Sequence, residues 1–129
     1  MNNDKLKINK EEFKKQFKQR LYNFVLKLIV FVDYLKKSDP VCRVISEQLV
    51  DSGTGILSNY LEALVSSSKK DFANYFRHSL KCLNESKMWI ATLRDSNKCD
   101  KKQADNLLKE LEEIGNIFAR SLITLKSKN

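Results

Sequence analysis

The sequence predicts an all-α protein, an antiparallel up-and-down four-helix bundle, and three observations predict it. Turn-forming residues are scarce, with 3 Gly and 1 Pro among 129 residues, too few for a many-stranded sheet. Apolar residues recur at three- and four-residue steps through four long segments, the period of a helix with one buried face. Short polar connections carrying capping residues separate those segments, and short links favour antiparallel neighbours. The length suits one domain over 1–129 with a single core, its ends at 1–8 and 127–129 expected to fray.

Helix 1 is expected over 10–37. Asn9 followed by Glu12 makes a capping pair, and Phe13, Phe17, Leu21, Phe24, Leu28, Phe31, Val32 and Leu35 keep the period. Ser38-Asp39-Pro40 stops it: Ser38 or Asp39 can cap the next helix, and Pro40 sits where a missing N–H costs nothing. Helix 2, over 40–65, carries Val41, Val44, Ile45, Leu49, Ser52, Ile56, Asn59, Tyr60 and Ala63 along or near one face. The serines at 66–68 break it, and Ser68 with Asp71 opens helix 3 over 69–95 through Phe72, Phe76, Ser79, Leu83, Ile90 and Leu93. Asp100 caps helix 4, over 100–126, with Leu107, Leu111, Ile114, Phe118, Leu122 and Leu125 in register.

The stretch SGTGILSNYLEA, residues 52–63, places Gly53 and Gly55 inside helix 2. A phosphate loop needs a strand before it and a lysine at fixed spacing after it, and neither is present. Each glycine costs about 1 kcal/mol against alanine in a helix, so close approach of a neighbouring helix is the expected compensation. Asn59 and Glu62 then read as polar groups that fix bundle geometry or bond to a neighbouring helix or subunit.

Catalytic, cofactor and metal sites are not indicated. Di-iron bundles need paired E-x-x-H motifs, but His78 is the single histidine and Tyr75 stands three residues before it. Glu110 and Glu113 read as a solvated face. Cys82 lies one turn from His78, which leaves a reactive thiol open beside the plainer reading of a small core residue. Cys42, Cys82 and Cys99 form no CxxC pair and fit reduced thiols in the cytoplasm. The most apolar stretch, residues 24–32, is short and contains Lys27, so it does not span a membrane.

The formal charge is +8, from 24 Lys+Arg against 16 Asp+Glu. Residues 1–20 carry 7 basic and 3 acidic side chains, and residues 69–97 carry 6 and 3, so these are the positive segments. Lys10, Lys14 and Lys18 make one row on helix 1. Lys70, Arg77 and Lys81 make another on helix 3, bordered by Asn74 and Asn84. Such rows suit phosphate oxygens of RNA, and equally suit the solvated face that every bundle helix must have. Trp89 and Tyr60 are large amphipathic groups expected near helix surfaces, where they would anchor a subunit interface or cap the core.

The order of SGTGILSNYLEA, SSSKKDF and SLKCLNESKMWIATLRD resembles the signature of the 23S rRNA-intervening-sequence proteins. The matching positions are Ile56, Asn59, Glu62, Ala63, Ser68, Lys70, Asp71, Phe72, Leu83, Glu85, Ser86 and Trp89, with Ile114, Gly115 and Phe118 in the last helix. Gly55 stands where the family often has Ser, and Ala63 where many members have Gly. The resemblance covers about residues 12–127 and implies an antiparallel four-helix bundle assembled as a homopentamer, without enzymatic activity or cofactor. It implies contact with RNA or a ribonucleoprotein, or, in a related branch, service as accessory protein to the reverse transcriptase of a diversity-generating retroelement.

Overall fold

The protein is described here by a computed structural model covering residues 3–127, with side chains from 9 to 126. Its elements are α1 (Asn3–Asp33), α2 (Pro40–Leu64), α3 (Lys69–Asp95) and α4 (Lys101–Ser127), with no strand among the described residues. Residues 1–2 and 128–129, part of the ends expected to fray, lie outside those described, as do the side chains of 3–8 and 127.

One aromatic ring from each helix shows how the helices run. Phe17 lies early in α1, Tyr60 late in α2, Phe76 early in α3 and Phe118 late in α4. Their centroids form a closed circuit, 5.1 Å from Phe17 to Tyr60, 5.8 Å to Phe76, 5.2 Å to Phe118 and 5.2 Å back to Phe17. Neighbouring helices are therefore antiparallel. Each packs on its neighbours in sequence, α1 closes the ring against α4, and α1 and α3 sit on a diagonal. Leu21, Phe24, Leu28, Leu49, Ile56, Leu83, Ile90, Leu111 and Ile114 fill the layers beyond the aromatic one. Edge-to-face pairs of this kind add about 0.5–1.5 kcal/mol each beyond the area they bury.

Three expected caps are in place. Asp39 accepts from the backbone N–H of Val41 (2.8 Å) and Cys42 (3.2 Å), Ser68 from Asp71 (3.1 Å), and Asp100 from Gln103 (2.9 Å). Helix α3 ends through Asn97, which adopts φ 60°. Asparagine tolerates this left-handed conformation, and it lets the Lys98 N–H reach back to the Leu93 carbonyl at 2.9 Å.

Helix α1 differs from expectation at both ends. Asn9 is not a cap, because no glycine or proline interrupts residues 3–9 and the backbone is already helical from Asn3. The helix stops at Asp33 rather than at 37. Tight turns from Tyr34 N–H to Phe31 O (3.3 Å) and Leu35 N–H to Val32 O (3.1 Å) swing Leu35 into the core. Lys37 Nζ then donates to the carbonyls of Val32 and Leu35, satisfying acceptors that the helix end leaves open.

The buried face of α2 is also displaced from the expected one. Cys42, Ile45, Ser46, Leu49, Ser52, Gly53, Ile56, Tyr60 and Ala63 point inward, while Val41 and Val44 are exposed. Tyr60 is core rather than surface, at 2% exposure. Burial pushes its hydroxyl pKa up to about 12.

Candidate nucleic-acid interface

The α2–α3 seam is the most extensive helix contact, and the residues of the SGTGILSNYLEA stretch are divided between it and the packing of α2 on α1. Gly53 lies against Leu28 of α1: a Cβ there would come within 2.0 Å of Leu28 Cδ2. Gly55 lies against α3, where a Cβ would meet Cys82 Sγ at 2.7 Å. Ser52 and Ser86 share a buried hydroxyl–hydroxyl hydrogen bond of 2.8 Å, and Ser79 donates to the Ile56 carbonyl at 2.9 Å. Asn59 Nδ2 donates to the Gly55 carbonyl of its own helix at 2.9 Å and touches Cys82 Sγ at 3.8 Å. Every buried side-chain N or O among the described residues has a partner. Here the small residues serve packing.

Glu62 does not join the seam; it is exposed. Glu85 is exposed beside Lys81, Trp89 is half-buried against the core, and Phe72 packs on Phe76 at 4.5 Å. Cys82 is poorly suited to act as a nucleophile, since burial raises its thiol pKa, with Glu85 and Asp51 adding to the effect. His78 is exposed and lies over Tyr75. Glu110 and Glu113 are not simply solvated. Arg20 of α1 holds Glu110 in a two-pronged ion pair (2.8 and 3.1 Å) and reaches Glu113 at 3.3 Å. The guanidinium keeps the Glu110 pKa below the usual carboxylate value. No group of three His, Cys, Asp or Glu suited to a metal occurs among the described residues.

The cationic residues gather at one end of the bundle, the end holding the α2–α3 loop and the aromatic circuit. Residues 9–18, 59–81 and 116–126 carry ten Lys or Arg and four Asp or Glu, a net +6. Residues 29–47 and 90–107, at the opposite end, carry seven and six, a net +1. Lys10, Lys14, Lys18, Lys70, Arg77 and Lys81 are all exposed. Of these, Lys14 is paired, with Glu11 at 3.4 Å; the other five have no carboxylate within ion-pair distance among the described residues. Arg77 is steadied by Asn74, whose side-chain oxygen accepts from it at 2.9 Å.

The two rows foreseen from sequence do not form one surface, because α1 and α3 lie on the diagonal. Each is completed by a different neighbour. Lys70 and Arg77 line a groove of about 500 Å³ with Leu122, Leu125 and Lys126 of α4. Lys14, Lys15 and Lys18 border a groove of about 420 Å³ with Leu64 of α2. Lys81 lies further along α3, beside Asn84 and Glu85. Lys126 and Arg120 were missed in the sequence because no local spacing links α4 to the start of α3; the antiparallel order alone brings them together.

A family model described as 23S rRNA-intervening sequence protein matches residues 12–120. The fold is similar to that of a crystal structure of a protein of unknown function from the S23 ribosomal protein family of Bacteroides thetaiotaomicron VPI-5482. That similarity has a TM-score of 0.76 and 24% identity, and it covers 82% of this chain and 97% of the other. No curated protein matches the chain.

Proposed function

The chain belongs to the family of 23S rRNA-intervening sequence proteins, and from that premise we propose that it is a non-enzymatic, homo-oligomeric bundle that binds RNA or a ribonucleoprotein through its basic end. The observation that carries this reading is the concentration of cations at that end, most of them without carboxylate partners. Unpaired Lys and Arg are ready to take up phosphates and release counterions. The Lys70–Arg77–Lys126 groove offers three cations on two helices, a backbone-type contact that tolerates sequence variation. The three free thiols fit work in the reducing cytoplasm, and no described helix is long and apolar enough to cross a membrane.

Self-association rests on a second feature. Tyr22, Leu26, Ile29 and Val30 form an exposed apolar stripe along α1 at helical spacing. A face of this kind is suited to burial against another copy. In the homopentamer implied by the family resemblance, five copies at +8 each would present a formal +40 to a polyanion. The same stripe supports a second reading, in which it receives a protein partner such as a reverse transcriptase and the chain acts as its accessory subunit.

Filter binding of structured and single-stranded RNA across a salt series tests the first reading. The expected result is an association constant that falls linearly with salt on logarithmic axes, with a slope of about −0.7 to −0.9 per phosphate contact. Absence of binding at low salt would reject it. Co-purification of a protein partner that survives nuclease treatment would favour the second.

A further inference from the structure

Beyond the aromatic circuit the four helices leave an open cup of about 680 Å³ to which every helix contributes. Its floor is Phe17, Tyr60 and Phe76, each 5% exposed or less. Its walls are largely apolar, Leu64, Phe72, Ile117, Leu125 and Phe13, the last left 53% exposed although its spacing on α1 matches the core, with Asn9, Ser121 and Thr124 as uncharged polar members. Among the described residues, the charged ones lining the cup are Lys10, Lys14 and Arg120, all of one sign. Such a volume lies within the roughly 300–1,000 Å³ typical of small-ligand sites, and so does the pattern of apolar walls with a few convergent charges.

We propose that this cup binds a single-chain anionic amphiphile, a free fatty-acid carboxylate, with its alkyl chain among the phenylalanines and its head group on Lys10, Lys14 and Arg120. The lining favours an alkyl chain over a nucleobase. A base would bury ring nitrogens and carbonyl oxygens that need partners, and the cup's hydroxyls are largely engaged. Tyr60 Oη donates to the Lys14 carbonyl at 3.5 Å, and Ser121 Oγ donates to the Ile117 carbonyl at 2.9 Å. The sign of the rim selects the head group. Glu11, the carboxylate closest in sequence to the rim lysines, is paired to Lys14, and Lys10 and Arg120 have no ion-pair partner among the described residues. The Arg20–Glu110 pair, which does not line the cup, ties α1 to α4. The cup adjoins the Lys70–Arg77–Lys126 groove through Leu125 and shares Lys14 and Leu64 with the α1–α2 groove, but amphiphile uptake is read without RNA and so is distinguishable from RNA binding.

Calorimetric titration of the full chain with dodecanoate, octanoate, dodecyltrimethylammonium and dodecyl maltoside, each below its micelle concentration, tests the proposal. One saturable dodecanoate site per chain is expected, tighter than for octanoate and at least about tenfold tighter than for the cationic amphiphile. Ser121→Trp, which fills the cup, should abolish it. The exposed double variant Lys10→Glu/Arg120→Glu keeps the test decisive if Ser121→Trp does not fold. It should weaken dodecanoate at least about tenfold and leave dodecyl maltoside unchanged. No saturable uptake, equal affinity for the cationic amphiphile, or full dodecanoate affinity in the double variant would overturn the proposal. Displacement of dodecanoate by a nucleoside monophosphate would overturn it in favour of a base site.

Discussion

The two ends of this bundle use charge in opposite ways. At the end where α1 joins α2 and α3 joins α4, ions are spent on closing the structure. Asp39 caps α2 and also pairs with Lys98 of the other loop at 2.6 Å. Lys98 holds the Asp39 pKa below the ordinary carboxylate value, and its own is raised in return. Arg94 bridges Asp95 and Asp105 at 2.9 and 2.8 Å, and Arg43 donates to the Lys37 carbonyl at 3.3 Å. Among the described residues, the six cations of the two rows at the basic end carry a single short-range pair, Lys14–Glu11, and this end has a largely apolar cup where the other end has two linked loops. Charge placed near carboxylates and carbonyls stabilises a fold; charge placed away from them is available to a ligand. Total charge does not distinguish these uses, but position does.

The largest expected effect comes from breaking the layer that separates cup from core. Phe118 is fully buried and contacts Phe17, Tyr60 and Phe76. Phe118→Ala should cost about 3–5 kcal/mol, read as a lowered midpoint in urea. A loss under about 1 kcal/mol would mean the circuit is not tightly packed. The seam between α2 and α3 is next. Ser86→Ala removes the 2.8 Å partner of the Ser52 hydroxyl and leaves it the Leu49 carbonyl at 3.4 Å, which should cost about 0.5–1.5 kcal/mol. The double change Ser52→Ala/Ser86→Ala should cost less than the sum of the singles. Strict additivity would show that the 2.8 Å bond contributes nothing as a pair.

The smallest effect concerns the Arg20–Glu110 clamp. Because the Glu110 pKa is depressed in the folded state, its contribution is present above the unfolded value. It is lost as pH falls through the folded one. Both side chains are partly solvated, so the pair is worth about 0.2–1 kcal/mol. Glu110→Gln should lower stability slightly at neutral pH and make the acid side of the stability profile shallower. An unchanged profile would remove the clamp from the account.

How much of this was legible in the sequence depended on whether the signal was local. Asp39, Ser68 and Asp100 act within three residues of themselves, so the caps could be read locally, although at helix 2 the sequence left Ser38 open beside Asp39 and the structure decides for Asp39. The four-helix order followed from periodicity and sparse turn residues. The end of α1 could not be placed, because Leu35 fits the helical period and is buried either way; only Lys37 bonding back to the Val32 and Leu35 carbonyls reveals the earlier stop. Phe13 has core spacing and is exposed because helix ends open a cup that no pattern within α1 records. Val41 and Val44 are apolar by type, yet the face of α2 is set by Cys42, Ser46 and the small residues that fit α3. The basic rows were visible, but their division between α1–α2 and α3–α4 grooves is a property of topology. Arg120 and Lys126 join the basic end across intervals of chain that no motif spans.

The central claim is that charge is available for binding at one end and structural at the other, and one paired measurement tests it most directly. RNA affinity and urea stability would be measured for Lys70→Glu/Arg77→Glu/Lys126→Glu and, in parallel, for Arg94→Glu/Lys98→Glu. The account predicts that the first variant loses RNA binding at least about tenfold with stability within about 0.5 kcal/mol of the parent. It predicts that the second loses stability and, where it remains folded, binds RNA no more than about threefold more weakly. Equal loss of RNA affinity in two folded variants would contradict the account.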